Sequence, residues 1–431
     1  MDNSNQINSV PLTAADCFIL ALEKHDHHKG LSGNTCRYLL ELDGELNVAD
    51  FKNKITNNKA SQYLASLSIN KNGLFALPKW ESNQWKKIEV TAHENDSFLP
   101  DLLINKKISA VNSPLFSFDI IRRSDRKTAL IFSWNHLIMD SYGAVLFLKQ
   151  LNGSESSSGY ISDNTKIKFN VSTLKEAVKA TFFLSASSKK PTSGLSPETR
   201  HPEVDQKIKV IRFTKEETME IDLNAPKLGA KFGRSPFYLA CSARAVKEIL
   251  IQRKSTVSNF WIPVPQNKRK KGAVGPLLGN HLSFLFYRLN SEVLESLEHA
   301  VKTINDQMVD QIRKGIPRAY DVLMHFLRRI PSSLYYQLIK GPQGGSLSGF
   351  LFTIAEDHPE ELLKFDGLNV TDALSFPPNI YPPGLTIAFM RFKGRLQIMV
   401  LYYKEVLSEV EMVQLEKQLK FELINGKKFI E

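Results

Sequence analysis

Cysteine is scarce in this chain of 431 residues: three occur, Cys17, Cys36 and Cys241, and no two form a CxxC pair. Thiols this few and this far apart argue against a disulfide framework and against a zinc site built from thiolates. No other set of metal-binding side chains has convincing spacing. The sequence therefore predicts no bound metal.

Long apolar runs are also missing. No window approaches the length of a membrane span, and the first ten residues are too polar and too poor in basic residues for a secretory signal. We therefore predict a cytoplasmic protein, with peripheral contact at the inner face of the membrane left open. Nucleic acid is not an expected partner, because no known binding module is present and the main basic cluster contains no aromatic residues.

Positive charge is in excess, since 56 Lys and Arg residues stand against 45 Asp and Glu residues, a formal net charge of +11. Part of the excess is concentrated in Lys268-Arg269-Lys270-Lys271. Such a cluster can meet phosphates, acidic proteins or anionic lipid headgroups, or it can lie in a solvated loop. Its composition alone does not decide between these roles.

The length exceeds what one hydrophobic core usually supports, so two domains are expected. A segment rich in Ser, Pro and Lys at 185–203 reads as the linker, which gives an N-terminal lobe at 1–190 and a C-terminal lobe at 191–431. Apolar patterns predict a mixed α/β fold. The strands are predicted at 37–42, 115–122, 128–134, 204–213, 260–264, 281–289, 350–354, 385–392 and 396–403, and the main helices at 12–22, 47–55, 143–151, 173–185, 214–221, 236–253, 291–313 and 408–423.

The most informative residues are His136 and Asp140, which share an HxxxD spacing between a predicted strand and a predicted helix. An imidazole titrates near neutral pH, so His136 is a candidate general base for a hydroxyl, amine or thiol. The same spacing at His201 and Asp205 lies in a polar segment without a strand or helix, and we interpret it as chance. The alternative for His136 is a buried histidine whose hydrogen bonds are satisfied internally.

Several segments occur in the order found in a known superfamily of acyltransferases. They are Pro11-Leu12-Thr13-Ala14-Ala15-Asp16, Ser113-Pro114-Leu115-Phe116, Phe132-Ser133-Trp134-Asn135-His136-Leu137-Ile138-Met139-Asp140, Gly233-Arg234-Ser235-Pro236-Phe237, Leu278-Gly279-Asn280 and Tyr381-Pro382-Pro383-Gly384-Leu385. Together they resemble the superfamily that includes nonribosomal peptide condensation domains and bacterial wax ester synthase/diacylglycerol acyltransferases. Only the block around His136, which resembles the HHxxxDG motif, is specific by itself.

This resemblance implies two chloramphenicol-acetyltransferase-like lobes that form a pseudo-dimer with a tunnel between them. His136 would be the general base, and Asp140 a structural residue paired with an arginine. The arginine candidates are Arg122, Arg123 and Arg288, and the residues expected to bind substrate are Asn135, Ser141, Gly143 and Asn280.

The resemblance also implies a thioester donor, acyl-CoA or acyl-carrier protein, and no bound cofactor. We expect an alcohol acceptor that is lipid-like, since the helix at 173–184 places Phe182 and Phe183 beside lysines that could touch a membrane. That helix could equally pack on its own lobe. Two alternatives stay open: a condensation-type enzyme with a carrier-bound donor and an amine or hydroxyl acceptor, and a homologue that binds acyl ligands without catalysis.

Three departures from the superfamily pattern bear on these alternatives. Asn135 replaces the first histidine of the motif, and Ser141 replaces the glycine after Asp140. The arginine-bearing early motif of condensation domains and the plant-type DFGWG motif are not recognisable. Classical peptide condensation is weakened by these differences, while transfer of an acyl group to oxygen is not.

Overall fold

The computed structural model describes most of the chain. The described residues are 9–28, 31, 34–70, 73, 75–111, 114–153, 167–187, 192–196, 205–270, 272–340 and 346–425, without the side chains of 25–28 and 187. Most of the predicted linker at 185–203, together with His201 and Lys271, lies outside the described residues.

A six-stranded sheet forms the centre of the first lobe, with strand order β12-β13-β2-β7-β6-β5. Its strands are β2 (Thr35–Leu42), β5 (Glu89–Glu94), β6 (Phe116–Arg122), β7 (Thr128–Asn135), β12 (Lys364–Phe365) and β13 (Leu368–Phe376). The central strand β7 is buried along its whole length, which explains its nearly continuous apolar sequence. The strands predicted at 37–42, 115–122 and 128–134 are confirmed.

A smaller antiparallel sheet and five of the described helices complete the first lobe. The sheet contains β1 (Ser9–Pro11), β4 (Lys79–Ser82) and β3 (Leu67–Asn70) in that order. The helices are α1 (Ala14–His28), α2 (Val48–Asn57), α3 (Lys59–Ser66), α4 (Asp101–Ile104) and α5 (Ser141–Leu151). A further helix from this half of the sequence, α6 (Val171–Ser187), packs instead on the second lobe, where Ala180 lies in a cluster with Trp261 and Tyr320. The helix α5 packs on the large sheet, where the ring of Phe147 lies 5.3 Å from that of Phe132.

Two further sheets form the second lobe. One has strand order β11-β14-β15-β8, and the other pairs β9 with β10. The strands are β8 (Gln206–Arg212), β9 (Asn259–Asn267), β10 (Leu282–Asn290), β11 (Leu351–Ile354), β14 (Leu385–Phe392) and β15 (Arg395–Tyr403). The β14–β15 hairpin turns at Lys393 and Gly394, which both have positive φ, 47° and 76°, as a two-residue hairpin loop requires.

Most helices in the second half of the sequence pack around these sheets, whereas the helix at 332–340 packs against α1 of the first lobe. The helices of this half are α7 (Lys215–Lys227), α8 (Ser235–Gln252), α9 (Leu297–Arg313), α10 (Ile316–Leu327), α11 (Ser332–Lys340) and α12 (Glu409–Asn425), with short 3-10 turns at Val293–Glu295 and Glu360–Leu362. Thr214 and Glu217 form a capping box that starts α7, and Pro236 lies in the first turn of α8. The helices predicted in these regions are confirmed, whereas α10 and α11 were not predicted.

The two-lobed mixed α/β fold that the sequence predicts is confirmed, but elements are exchanged between the halves. Helix α6 packs on the second lobe and α11 on the first, and one sheet also takes strands from both halves. Strand β13 belongs to the second half of the sequence, yet it pairs antiparallel with β2 and extends the first sheet. Strands before residue 190 and strands after it form separate sheets, except that β12 and β13 join the first. The domain bounds themselves stay a prediction. Within the described part of the chain, no helix is long and apolar enough to cross a membrane.

Candidate active site

The backbone of His136 is fixed where β7 ends. Its N–H donates to the carbonyl of Asn34 over 2.6 Å, and the side-chain oxygen of Asn135 accepts from the N–H of Leu137 over 3.0 Å. The side-chain nitrogen of Asn135 donates to the carboxylate of Glu23 over 3.1 Å. Asn135 is therefore a buried residue that shapes the turn and links it to α1.

The imidazole of His136 lies at the wall of a cavity. Its Nδ1 is buried and forms no hydrogen bond with another described residue. We assign Nε2 to the cavity side, because Nδ1 is the buried nitrogen. Burial lowers the pKa of His136 to about 4, although the negative charge of Asp140 opposes that shift. At neutral pH the ring is therefore uncharged.

The cavity beside His136 has a volume of about 490 Å³ and is lined by both lobes, a size that suits a small-molecule ligand. Aromatic side chains form much of its wall, with the rings of Trp261 and Phe286 stacked 5.3 Å apart. None of the described residues that line it is Asp, Glu, Lys or Arg. The cavity therefore offers a mainly apolar, uncharged surface next to one neutral imidazole.

Asp140 holds the turn together and does not contact the ring of His136. One carboxylate oxygen accepts from the N–H of Gly143 over 2.9 Å as the N-cap of α5. The other accepts from Arg269 Nη1 over 2.5 Å and from the N–H of His281 over 3.0 Å. Burial raises the pKa of Asp140, but Arg269 and these hydrogen bonds outweigh it and hold the pKa below its ordinary value.

The predicted arginine partners of Asp140 are wrong. Arg122 pairs with Glu94, Arg123 pairs with Glu41, and the guanidinium of Arg288 lies 5.3 Å from the ring centre of Trp261. The partner is Arg269, whose side chain is only 3% exposed. It also donates to the carbonyl of Pro276 and lies over the ring of Tyr142. One member of the basic cluster thus points inward.

A second set of contacts joins the lobes beneath the same turn. The side-chain nitrogen of Asn280 donates to the carbonyl of His136 over 2.8 Å and to Asp16 over 2.9 Å. The N–H of Asn280 also donates to Asp16, and the N–H of Thr13 donates to the other carboxylate oxygen. Burial raises the pKa of Asp16 to about 6 against these hydrogen bonds. Two segments singled out in the sequence, 11–16 and 278–280, therefore meet at the histidine.

Gly143 allows the lobes to approach closely. A Cβ atom at this position would lie 2.6 Å from the carbonyl oxygen of Leu277, which is backbone and cannot turn away. Nearby, the N–H of Gly279 donates to the carbonyl of Ile138 over 2.8 Å. Close packing of the two lobes therefore requires glycine at position 143.

The four residues expected to bind substrate do not line the cavity of His136. Asn135, Gly143 and Asn280 are buried in the contacts described above, and Ser141 is exposed at the start of α5 beside a separate cavity. Asn34, which the sequence did not single out, lines the cavity instead. No group of three or more His, Cys, Asp or Glu side chains in the described ranges is placed to hold a metal ion.

Comparisons with known proteins identify the fold. No protein-family model matches the chain, and no curated protein does. The first condensation domain of the calcium-dependent antibiotic synthetase superimposes with a TM-score of 0.69 at 13% identity, over 98% of each chain. TRI3 trichothecene 15-O-acetyltransferase from Fusarium sporotrichioides gives 0.70 at 14% identity, over 96% of this chain and 94% of that chain.

A third similar structure was solved with small molecules. It is the starter condensation domain of rhizomide synthetase RzmA, a mutant in complex with C8-CoA and Leu-SNAC, with a TM-score of 0.66 at 14% identity, over 99% of this chain and 96% of that chain. At these identities the similarity establishes the fold alone. The fold implied by the resemblance of the sequence is therefore confirmed.

Replacing Arg269 should destabilise the protein far more than replacing an exposed arginine. Arg269→Gln leaves the buried charge of Asp140 without its partner, for which we expect a loss of about 3–5 kcal/mol in the free energy of unfolding. Arg122→Gln, which breaks the exposed pair with Glu94, should cost less than about 1 kcal/mol. Urea titrations of both variants measure the difference.

The double variant Asp140→Asn/Arg269→Gln serves as the control, because it removes both charges. It should recover much of the stability lost in Arg269→Gln. Equal losses in Arg269→Gln and Arg122→Gln would contradict the importance of the buried pair.

Proposed function

We propose that this chain, which has the two-lobed fold of condensation domains and CoA-dependent acyltransferases, transfers an acyl group from a thioester to a hydroxyl acceptor, with His136 as general base. The observation that carries the proposal is a neutral imidazole held by its backbone at the wall of an uncharged cavity between the lobes. A base of this kind takes a proton without first losing one.

The proposed reaction needs one base and no covalent enzyme intermediate. The acceptor oxygen attacks the thioester carbonyl carbon while His136 Nε2 takes the hydroxyl proton. The tetrahedral intermediate then collapses, the C–S bond breaks, and the imidazolium returns the proton to the departing sulfur. The products are an ester and a thiol, and the ring is neutral again. Holding both substrates in one cavity supplies a large part of the rate enhancement.

The character of the cavity favours an alcohol over an amine as acceptor. An alkylamine is mostly protonated at neutral pH, and a buried cation needs a carboxylate or other strong partner. None of the described residues lining the cavity is acidic. An alcohol is uncharged in water and in the cavity, so it enters the cavity at a smaller desolvation cost than a protonated amine. The same argument favours acceptors and acyl chains that are mainly apolar.

The donor is an acyl thioester of coenzyme A or of a carrier protein. Both carry phosphate, which the excess of basic residues suits. The rim of a cavity of about 330 Å³ behind the turn includes Lys268 and Lys270. The two donors are separated by assaying acyl-CoA and acyl-carrier protein side by side.

Loss of the imidazole should abolish transfer without preventing ligand binding. For His136→Ala we expect kcat to fall by about 10²–10⁴-fold, the usual contribution of a general base. The assay follows thiol release from a series of acyl donors with long-chain alcohols as acceptors, and fluorescence of a bound fatty alcohol probe reports ligand binding. His299→Ala, at an exposed position on α9, is the matched control and should keep full activity.

The same experiment distinguishes an acyltransferase from a protein that only binds acyl ligands. Turnover that is unchanged in His136→Ala would contradict the role of His136. Absence of acceptor-dependent thiol release in the wild type, with probe binding intact, would favour a protein that binds acyl ligands without catalysis.

Activity should depend on pH as expected for a base of low pKa. Only neutral His136 accepts a proton, and its pKa lies at about 4, so kcat/KM should stay level between about pH 6 and 8 and fall as the pH approaches 4. An unperturbed histidine would already lose half of its activity near pH 6.5. Samples returned from low pH to pH 7 control for irreversible unfolding.

Asp16 titrates in the same range, with a pKa of about 6, so the profile is repeated with Asp16→Asn. A break near pH 6 that persists in this variant would show that His136 itself has an ordinary pKa.

A further inference from the structure

The outer face of α6 is unusually apolar for a surface helix. Val171, Leu174, Val178 and Phe182 recur at helical spacing along it, with exposures of 70%, 54%, 44% and 72%. The opposite face is buried, since Ala180 belongs to a core cluster with aromatic residues of the cavity wall. Because the helix already packs through one apolar face, its second, exposed apolar face indicates an interaction surface.

Helix α11 repeats this pattern on a smaller scale. Leu334 and Leu338, four residues apart, are each 49% exposed, while Tyr335 and Tyr336 between them are buried. Leu338 also lines the cavity of His136. The exposed face of α11 is therefore continuous with the inside of the site.

The cavity opens to the surface beside the two helices. Thr181 and Ser185, near the end of α6, line the cavity and are exposed, as Leu338 of α11 is. The apolar row on α6 ends at Phe182, between Thr181 and Ser185. An apolar molecule that leaves the cavity at this point meets the exposed side chains of α6 and α11.

Positive charges outnumber negative charges on the two helices. Helix α6 carries Lys175 and Lys179, and its single carboxylate, Glu176, is paired with Lys179 over 2.9 Å. The only charged residue of α11 is Lys340. Neither helix therefore presents an unpaired carboxylate, and the exposed apolar side chains are accompanied by lysines. This combination is typical of helices that lie in the headgroup region of an anionic lipid layer.

We propose that the faces of α6 and α11 dock on an anionic lipid surface and that apolar substrate passes directly between this surface and the cavity of His136. The inference rests on the proposed function for the identity of the cargo, but the docking itself does not. A lipid surface fits better than an acidic protein partner, because the exposed side chains form a row along a helix that a fluid layer can surround.

Vesicle binding tests the docking without any need for turnover. The protein is floated with vesicles of phosphatidylcholine alone and with vesicles that also contain phosphatidylglycerol, at low and at high salt. We expect binding to the anionic vesicles, weakened by salt. The variant Leu174→Gln/Val178→Gln/Phe182→Gln should bind at least about tenfold more weakly, since three apolar side chains no longer enter the lipid.

A control variant places two glutamines at exposed apolar positions of a different helix. Met219 and Leu223 of α7 are 58% and 59% exposed, and Met219→Gln/Leu223→Gln should leave vesicle binding unchanged. Because all substituted side chains are exposed, both variants should keep the unfolding temperature of the wild type. Equal vesicle binding by wild type and the α6 variant, or no binding by the wild type, would overturn the proposal. So would a loss of self-association in the α6 variant with vesicle binding unaltered.

Activity then separates this inference from the proposed function. With a short, water-soluble alcohol the α6 variant should turn over at the wild-type rate, whereas with a long-chain alcohol in anionic vesicles its rate should fall by about the same factor as its binding. Vesicle binding without transfer to either alcohol would reject the proposed function while leaving the docking intact. An equal loss of rate with both alcohols would overturn the delivery route.

Discussion

The buried ion pair between Asp140 and Arg269 is the contact on which the site depends. The two residues are 129 positions apart in the chain and come from different lobes. Removing two charges from water is costly, and here the cost is offset by the N–H groups of Gly143 and His281, which complete the carboxylate's hydrogen bonds. Contacts within the first lobe fix the backbone of His136, and the ion pair adds a hold on the same turn from the second lobe.

Asp16 and Asn280 add a second interlobe connection, and it reaches the backbone of the histidine directly. These contacts fix the backbone of His136. Its ring forms no strong hydrogen bonds, so the outward nitrogen stays available. This division suits a base, because a ring held by a carboxylate would have a raised pKa and would be protonated more often. The lowered pKa of His136 follows from the same arrangement.

The strands, helices and site residues that could be predicted are those visible in the local sequence pattern. The strand β7 is buried on both faces, so its apolar run is visible, and the position of His136 at its end follows from that run. The role of Arg269 could not be predicted, because an arginine within a basic loop looks like a solvated one until the opposite lobe is in place. Strand β13 was missed because the bulge between Val370 and Asp372 interrupts its alternation of apolar and polar residues. Three of the four motif positions taken as substrate contacts, Asn135, Gly143 and Asn280, are packing residues where the lobes meet closely, and Ser141 is exposed.

The crossover of β13 has a consequence for how such a protein can be divided. If the chain were cut in the linker near residue 190, the first fragment would retain β2 with one edge uncovered, because its partner strand would leave with the other fragment. An uncovered central strand invites pairing with other molecules. Neither half is therefore a self-contained module, and exchange of one half between distant relatives must carry residues 364–376 with the half that they complete, not with the half that encodes them.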